Sequence, residues 1–328
     1  MKEFDFITIG GATEDFVFHT DEGLLVKNKK DILRQELLAF EQGAKIKVGK
    51  IISFFGGGSS NVAVNLSNLG FNTSAFVRLG KDERSKKIIN NLKNNKVDIS
   101  LVKIDNQEDS GTSIILSSHG DRLIFTYRGA NDKLSLTKKD LLALKKSRFI
   151  YISSISLDIF KSFSDIFSLK KPIYWNPGLQ EISLGVESLS KYIKKTEILM
   201  LNKDEALELL KKSRKYKNYK NSYLNDILNL INIIKSYGPS KLVITDGANG
   251  AHFFDGENYY YQKAFGGKTP VDTTGVGDAF NSTFVALYIL TDGDYKLSMR
   301  LAAKNAYSVI SSYGAQNGLL SLNKLINK

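Results

Sequence analysis

After Asn131 the chain settles into a rhythm of short apolar runs followed by helical patterns, and this constrains the fold more than any other feature. Runs at 149–152, 173–175 and 198–201 read as buried strands. Helix-period spacing follows each of them: from about residue 157, near Val186, and over 203–212. A further strand is expected at 241–245, then a hairpin through Phe253, Phe254, Asp255 and Gly256, then a mostly helical tail over 278–312. Strands that are apolar throughout need cover on both faces, so the rhythm predicts an α/β protein with a mainly parallel sheet between helices. The first third adds a strand at 4–9 that runs into Gly10-Gly11. It also adds a helix at 60–69 (Val62, Val64, Leu66, Leu69) stopped by Gly70, a strand at 73–77, and a helix at 82–92 capped by Asp82. Two β-rich runs at 112–116 and 123–127, separated by Ser117-Ser118-His119-Gly120-Asp121, break the rhythm and predict a small second sheet. The Lys- and Asn-rich piece near 211–222 reads as a loose insertion, and no internal repeat is present.

Composition narrows the function classes. Cysteine is absent, which excludes disulfides, thiol catalysis and Cys-ligated metals. The apolar run at 284–290 is far shorter than the ~20 residues of a membrane span. The opening MKEFDFITIG carries Glu3 and Asp5 and turns into a strand, unlike a signal peptide, so a cytoplasmic protein is expected. The formal charge of +12 is concentrated in pieces such as Lys211-Lys212-Ser213-Arg214-Lys215-Tyr216-Lys217. It reads as solvated surface rather than a nucleic-acid site, and a positive field equally attracts anionic nucleotides. No nucleic-acid or membrane partner is expected.

The stretch VDTTGVGDAFNSTF (271–284) carries the chemistry. Residues 279–290 form a strongly apolar helix pattern, preceded by Gly275-Val276-Gly277-Asp278. Glycines let backbone N–H groups converge and let a ligand approach, and the helix dipole favours negative charge there. A carboxylate beside an anion pocket suits a base that takes the proton of a hydroxyl attacking the anion, as in phosphoryl transfer to an alcohol. The same letters also fit a plain tight turn with a dipole-favoured Asp, worth ~0.3–1 kcal/mol.

The run Asp272-Thr273-Thr274-Gly275-Val276-Gly277-Asp278-Ala279-Phe280 resembles the C-terminal signature of the ribokinase (PfkB-type) family of carbohydrate and nucleoside kinases, with Val276 where a small residue is usual. Gly56-Gly57-Gly58-Ser59-Ser60-Asn61-Val62-Ala63, closing at Gly70, resembles the family's N-terminal signature. The likeness spans nearly the whole chain. It implies one ribokinase-like α/β/α sandwich over 1–328, with a small β lid from pieces near 12–20, 46–56 and 110–128. It implies an ATP-dependent kinase acting on a sugar such as ribose or a ketohexose, with a nucleoside kinase and a non-catalytic binding relative as rivals. Asp278 would be the base, and the amides of Gly275, Val276 and Gly277 the anion hole. Asp15, Gly57 and Asn61 would contact substrate, with Glu14 a neighbouring candidate. Asn202 and Glu205 match an N-x-x-E motif that organises Mg²⁺ largely through water, although Asn-x-x-Glu at a helix start is equally a capping box. Thr245, Gly247, Gly250 and Asn305 would flank the nucleotide, and Asp272 and Thr274 would hold a monovalent cation such as K⁺. The lid implies a homodimer.

Within that frame, Phe16, Phe18, Phe125 and Tyr127 are candidate base-stacking aromatics, with packing in the lid as the alternative. Lys47, Lys50, Arg122 and Arg128 are candidate cations for a phosphorylated sugar. Gly267-Lys268-Thr269 fails as a phosphate loop because the first glycine falls on Gln262 and Pro270 follows. Gly275-Val276-Gly277 has Phe280 where a dinucleotide fingerprint needs Gly or Ala, and His19, His119 and His252 lack metal-ligand spacing.

Overall fold

The computed structural model describes residues 3–27, 36–118, 121–266 and 271–327. An eight-stranded sheet forms its centre. In spatial order the strands are Tyr259–Gln262, Ala251–Phe254, Lys241–Thr245, Ile198–Asn202, Ile173–Trp175, Phe149–Ile152, Phe6–Ile9 and Thr73–Phe76. The last six are mutually parallel, while Ala251–Phe254 and Tyr259–Gln262 are added as an antiparallel hairpin. The expected α/β architecture is therefore present.

Strand periodicity explains the two helical layers. Ile7, Ile9, Ile150, Ile152, Ile173, Trp175, Leu199, Leu201, Leu242 and Ile244 point to one core. Phe6, Tyr151, Tyr174, Ile198, Met200 and Val243 alternate into the other. The first core is closed by helices that include Gly185–Ile193, Lys203–Lys211 and Ile227–Lys235. The second is closed by Gly58–Asn68, Val276–Leu290 and Tyr295–Ile310. Deleting a fully buried side chain such as Trp175 or Phe284 would cost about 3–5 kcal/mol, so neither layer is dispensable.

A separate four-stranded sheet has the order Asp121–Tyr127, Thr112–Ser118, Thr13–His19, Lys50–Gly56. The hairpin read at 112–127 forms its edge, apart from His119 and Gly120, which lie outside the described residues. Asp15 pairs with Phe54 and Ser113, so these three share one face. Phe16 pairs with Ser53 and Ile114, and Ile114 with Phe125, which places that set on the opposite face.

Several elements differ from the reading above. Two short pairings, Leu24–Lys27 with Glu36–Ala39 and Arg78–Gly80 with Lys103–Asp105, had no clear period in the sequence. The helix expected from 279 begins at Val276, so Gly277 and Asp278 lie in its first turn. Residues 211–222 are not a loose insertion. Tyr216 is buried, Ser213 is buried and donates its hydroxyl to the Glu187 carboxylate, and Tyr216, Tyr219 and Tyr223 form a packed series. His252, which carries no metal-ligand spacing in the sequence, is a buried strand residue whose Nδ1 lies 2.8 Å from the Tyr259 hydroxyl.

Candidate active site

The strand order reverses at Phe6–Ile9, because the chain next joins the sheet on one side of it (Thr73–Phe76) and then on the other (Phe149–Ile152). Ligand crevices in open α/β sheets lie beyond the carboxyl end of such a strand. Gly10-Gly11-Ala12 leaves that end and leads into Thr13–His19. The helix Gly58–Asn68 starts against it, with the Ser59 and Ser60 N–H groups donating to the Gly11 carbonyl at 3.1 and 3.3 Å. Gly57 has φ 86°, and a Cβ there would stand 2.5 Å from the Ala12 Cα, so only glycine lets the two turns touch.

The helix Val276–Leu290 points its first turn into the same crevice. Its N-cap, Gly275, has φ 71°, and a Cβ there would meet the Ala315 Cβ at 2.2 Å. The first helical bond runs from the Ala279 N–H to the Gly275 carbonyl, 2.9 Å. The N–H groups of Val276, Gly277 and Asp278 precede it and have no intrahelical acceptor. Nothing stands within 4 Å of a Cβ built on Gly277, so the first turn is open on that side.

Asp278 is half-buried, and its Oδ2 accepts from Asn61 Nδ2 at 2.8 Å. Burial pushes its carboxyl up to about 6, with the Asn61 hydrogen bond pulling the other way. Asn61 is itself buried, and its Oδ1 accepts from Gln316 Nε2 at 3.1 Å. Of the three expected substrate contacts, then, the structure turns Asn61 toward the Asp278 carboxylate. Asp15 sits on the strand leaving the Gly10-Gly11 turn. It is buried, and its Oδ1 accepts the Ser113 N–H at 2.9 Å. Burial raises its carboxyl above the usual value, opposed by the Ser113 hydrogen bonds and reinforced by Asp272. Glu14 faces away, paired with Lys87 at 2.9 Å.

Asn202 and Glu205 form the capping box. Asn202 Oδ1 accepts the Glu205 N–H, and Glu205 Oε2 accepts the Asn202 N–H, both at 2.8 Å. Burial pushes Glu205 up to about 7; the Asn202 N–H lowers it and the negative field of Asp278 raises it. Two residues absent from the sequence reading join this corner. Asn176 follows the strand Ile173–Trp175, and its Oδ1 accepts from Asn281 Nδ2 at 3.3 Å. Asn281 is buried and its Oδ1 has no partner. An Asn one turn after Asp278 in a helix that turns strongly apolar from Phe284 was a readable signal, since Asn disfavours helix interiors. Nothing in the sequence marked Gln316. A partly solvated carboxylate beside an orphaned amide oxygen is a donor set that suits a hydrated Mg²⁺, which prefers oxygen ligands and keeps several waters.

Asp272 accepts the Thr274 N–H at 2.8 Å through Oδ1 and the Gly314 N–H at 2.9 Å through Oδ2, and Thr274 Oγ1 is buried with no partner. Thr245 ends the strand Lys241–Thr245, and Gly247 and Gly250 form the turn after it, with open space at Gly247. The structure withdraws Asn305 from the expected nucleotide contacts. It is wholly buried, donates to Asn65 Oδ1 and Thr283 Oγ1, and accepts the Leu320 N–H, so its polar atoms are spent inside the core. Phe16, Phe125 and Tyr127 fall on the face opposite Asp15, as does Phe18, which corrects the base-stacking alternative. Lys50 lies at the far end of its strand from Gly56, about 20 Å away. Arg128 is paired with Asp132 at 2.6 Å, and the Arg122 side chain and residues 267–270 lie outside the described residues. No group of three or more His, Cys, Asp or Glu side chains placed to hold a metal ion gathers among the described residues, and no described helix is long and apolar enough to cross a membrane.

Comparison with known proteins shows what the chain as a whole resembles. Residues 30–322 match the pfkB family of carbohydrate kinases. A ribokinase of Bacillus subtilis is 29% identical over 275 residues, covering 82% of this chain and 86% of that protein. The structure of Arabidopsis thaliana ribokinase with ribose and ATP superposes with a TM-score of 0.79 at 18% identity, covering 99% and 98% of the two chains. A putative ribokinase II from E. coli with ATP and Mg²⁺ gives a TM-score of 0.76 at 18% identity, covering 98% of each.

Proposed function

The chain belongs to the pfkB family of carbohydrate kinases, and we propose that it transfers the γ-phosphoryl group of ATP to a hydroxyl of a small uncharged sugar. Phosphotransfer to a hydroxyl follows from the family. The observation that carries the mechanism is the Asp278 carboxylate held by Asn61 beside the open first turn of the helix Val276–Leu290. In the reaction a bond forms between the sugar oxygen and the γ-phosphorus, the bond to the ADP oxygen breaks, and the hydroxyl proton passes to Asp278. A base with its pKa near the working pH suits this step. The N–H groups of Val276, Gly277 and Asp278, aided by the helix dipole, take up charge on the transferred phosphoryl oxygens.

Asp15 grips sugar hydroxyls through its carboxylate, whose Oδ1 the Ser113 N–H holds in place. An uncharged sugar is favoured over a sugar phosphate because two of the expected cations are placed elsewhere, Lys50 about 20 Å along its strand from Gly56 and Arg128 held by Asp132. Mg²⁺, held through water by Glu205 with Asn176 and Asn281, would neutralise phosphate charge. Asp272 and Thr274 offer a carboxylate and an orphaned hydroxyl to a monovalent cation. The small sheet, with Asp15 on one face, acts as a lid that excludes water during transfer.

The test is Mg²⁺-dependent ATP consumption, with and without K⁺, over a panel of pentoses, hexoses, sugar phosphates and nucleosides. Turnover restricted to free sugars supports the reading. A preference for nucleosides or sugar phosphates overturns the substrate class, and silence of a folded protein across the panel overturns the activity.

A further inference from the structure

Three consecutive residues of the C-terminal loop touch three different parts of the site. The Gly314 N–H donates to Asp272, Ala315 stands where a Cβ of Gly275 would be, and Gln316 reaches Asn61. Gln316 is the most constrained of the three. Its Nε2 donates to Asn61 Oδ1 at 3.1 Å and to Ser60 Oγ at 3.0 Å, while its Oε1 accepts from Asn91 Nδ2 at 2.7 Å. Asn91 lies on the helix Glu83–Asn94, whose packing is independent of the helix Val276–Leu290.

This arrangement reinforces an orientation that the carboxylate already favours in Asn61. A side-chain amide presents a donor on one branch and an acceptor on the other, and the two are nearly the same shape. Beside a carboxylate the donor branch attracts and the acceptor branch repels. Asn91 fixes the Gln316 oxygen, which obliges the Gln316 nitrogen to face Asn61. That in turn obliges the Asn61 oxygen to face Gln316 and its nitrogen to face Asp278. We propose that Gln316 is a positioning residue for phosphoryl transfer: through the relay Asn91–Gln316–Asn61 it holds the Asn61 amide donor-first toward the base. The proposal rests on the reading of Asp278 as the base, and the titratable groups that feel the charge of that carboxyl are Glu205 from the helix Lys203–Lys211 and Tyr151 from the strand Phe149–Ile152.

A double-mutant cycle tests it. Gln316→Ala should lower kcat about tenfold, short of the ~10²-fold that a 1 Å misplacement of a reacting group can cost, with KM for ATP unchanged. In an Asn61→Ala background the same substitution should have no further effect, because the relay is already cut. Gln316→Glu, which keeps the shape but offers no donor when ionised, should be at least as damaging as Gln316→Ala. Equal losses in both backgrounds, or full activity of Gln316→Glu, would refute the relay. A measurement independent of turnover separates this proposal from the activity itself. In the unliganded protein, the NMR signals of the Asn61 side-chain NH₂ should show slow hydrogen exchange, and Gln316→Ala should abolish that protection. Unchanged protection in the variant refutes the relay whether or not the parent turns over sugar, whereas lost protection in a protein silent on the panel upholds the relay and overturns the function.

Discussion

At the scale of single residues, the site depends on keeping a carboxylate charged where burial resists it. Burial lifts Asp278 from an ordinary 3.8 to about 6, so the base should lose activity as pH falls through about 6. A kcat/KM profile flat down to pH 4.5 would contradict that. The same shift has a stability sign. Between pH 3.8 and 6 the folded protein holds a proton on Asp278 that the unfolded chain has released, so folding is penalised as pH rises through this window and the penalty persists above it. Asp278→Asn should therefore stabilise the unliganded protein by about 1–3 kcal/mol at pH 8 and by nothing below pH 4, measured by urea titration. How far such residues were legible depended on what surrounds them. Asp278, its glycines and Asp15 stood out in the sequence because turn chemistry at strand and helix ends is local. Asn305 was misassigned because its hydrogen bonds to Asn65, Thr283 and Leu320 come from segments distant in sequence. Gln316 was invisible for the same reason.

At the scale of elements, the strands and helices of the body were readable from periodicity, since each buries a regular stripe. The helix Glu83–Asn94 shows how a cap joins local signal to tertiary contact. Asp82, identified from sequence as its cap, accepts the Ser85 N–H at 2.7 Å and also the Ser110 N–H and hydroxyl, each at 2.7 Å. Burial opposes the charge, yet these hydrogen bonds prevail and hold the carboxyl below its usual value. Asp82→Ala should cost about 1–2 kcal/mol at neutral pH. Because the folded pKa is depressed, the contribution is complete above pH 3.8 and is lost as pH falls through the folded value, so parent and variant should converge at low pH. A constant difference down to pH 2 would contradict that assignment. The segment near 211–222 was misread because composition stood in for pattern. Most of its lysines are exposed, while Tyr216 anchors it in the core and Leu224 does so just beyond it.

At the scale of the whole molecule, the small sheet has two faces with two uses. One carries Asp15 toward the crevice. The other leaves Ile51, Ile114, Leu123 and Phe125 between 40% and 60% exposed on a single side, an apolar surface suited to a second copy of the chain. The expected homodimer through the lid should appear as a two-chain species in sedimentation, and Phe125→Lys should convert it to a monomer. A monomeric parent, or a variant that still pairs, would contradict it. The central claim lies where body and lid meet, at the corner of Asn61, Gly275, Val276, Gly277 and Asp278. Its most direct test is the rate of ADP release with Mg²⁺, ATP and the preferred sugar, compared between the parent and Asp278→Asn. The account predicts that the folded variant binds nucleotide as the parent does and turns over at least about 10²-fold more slowly. Parental turnover by Asp278→Asn would contradict it.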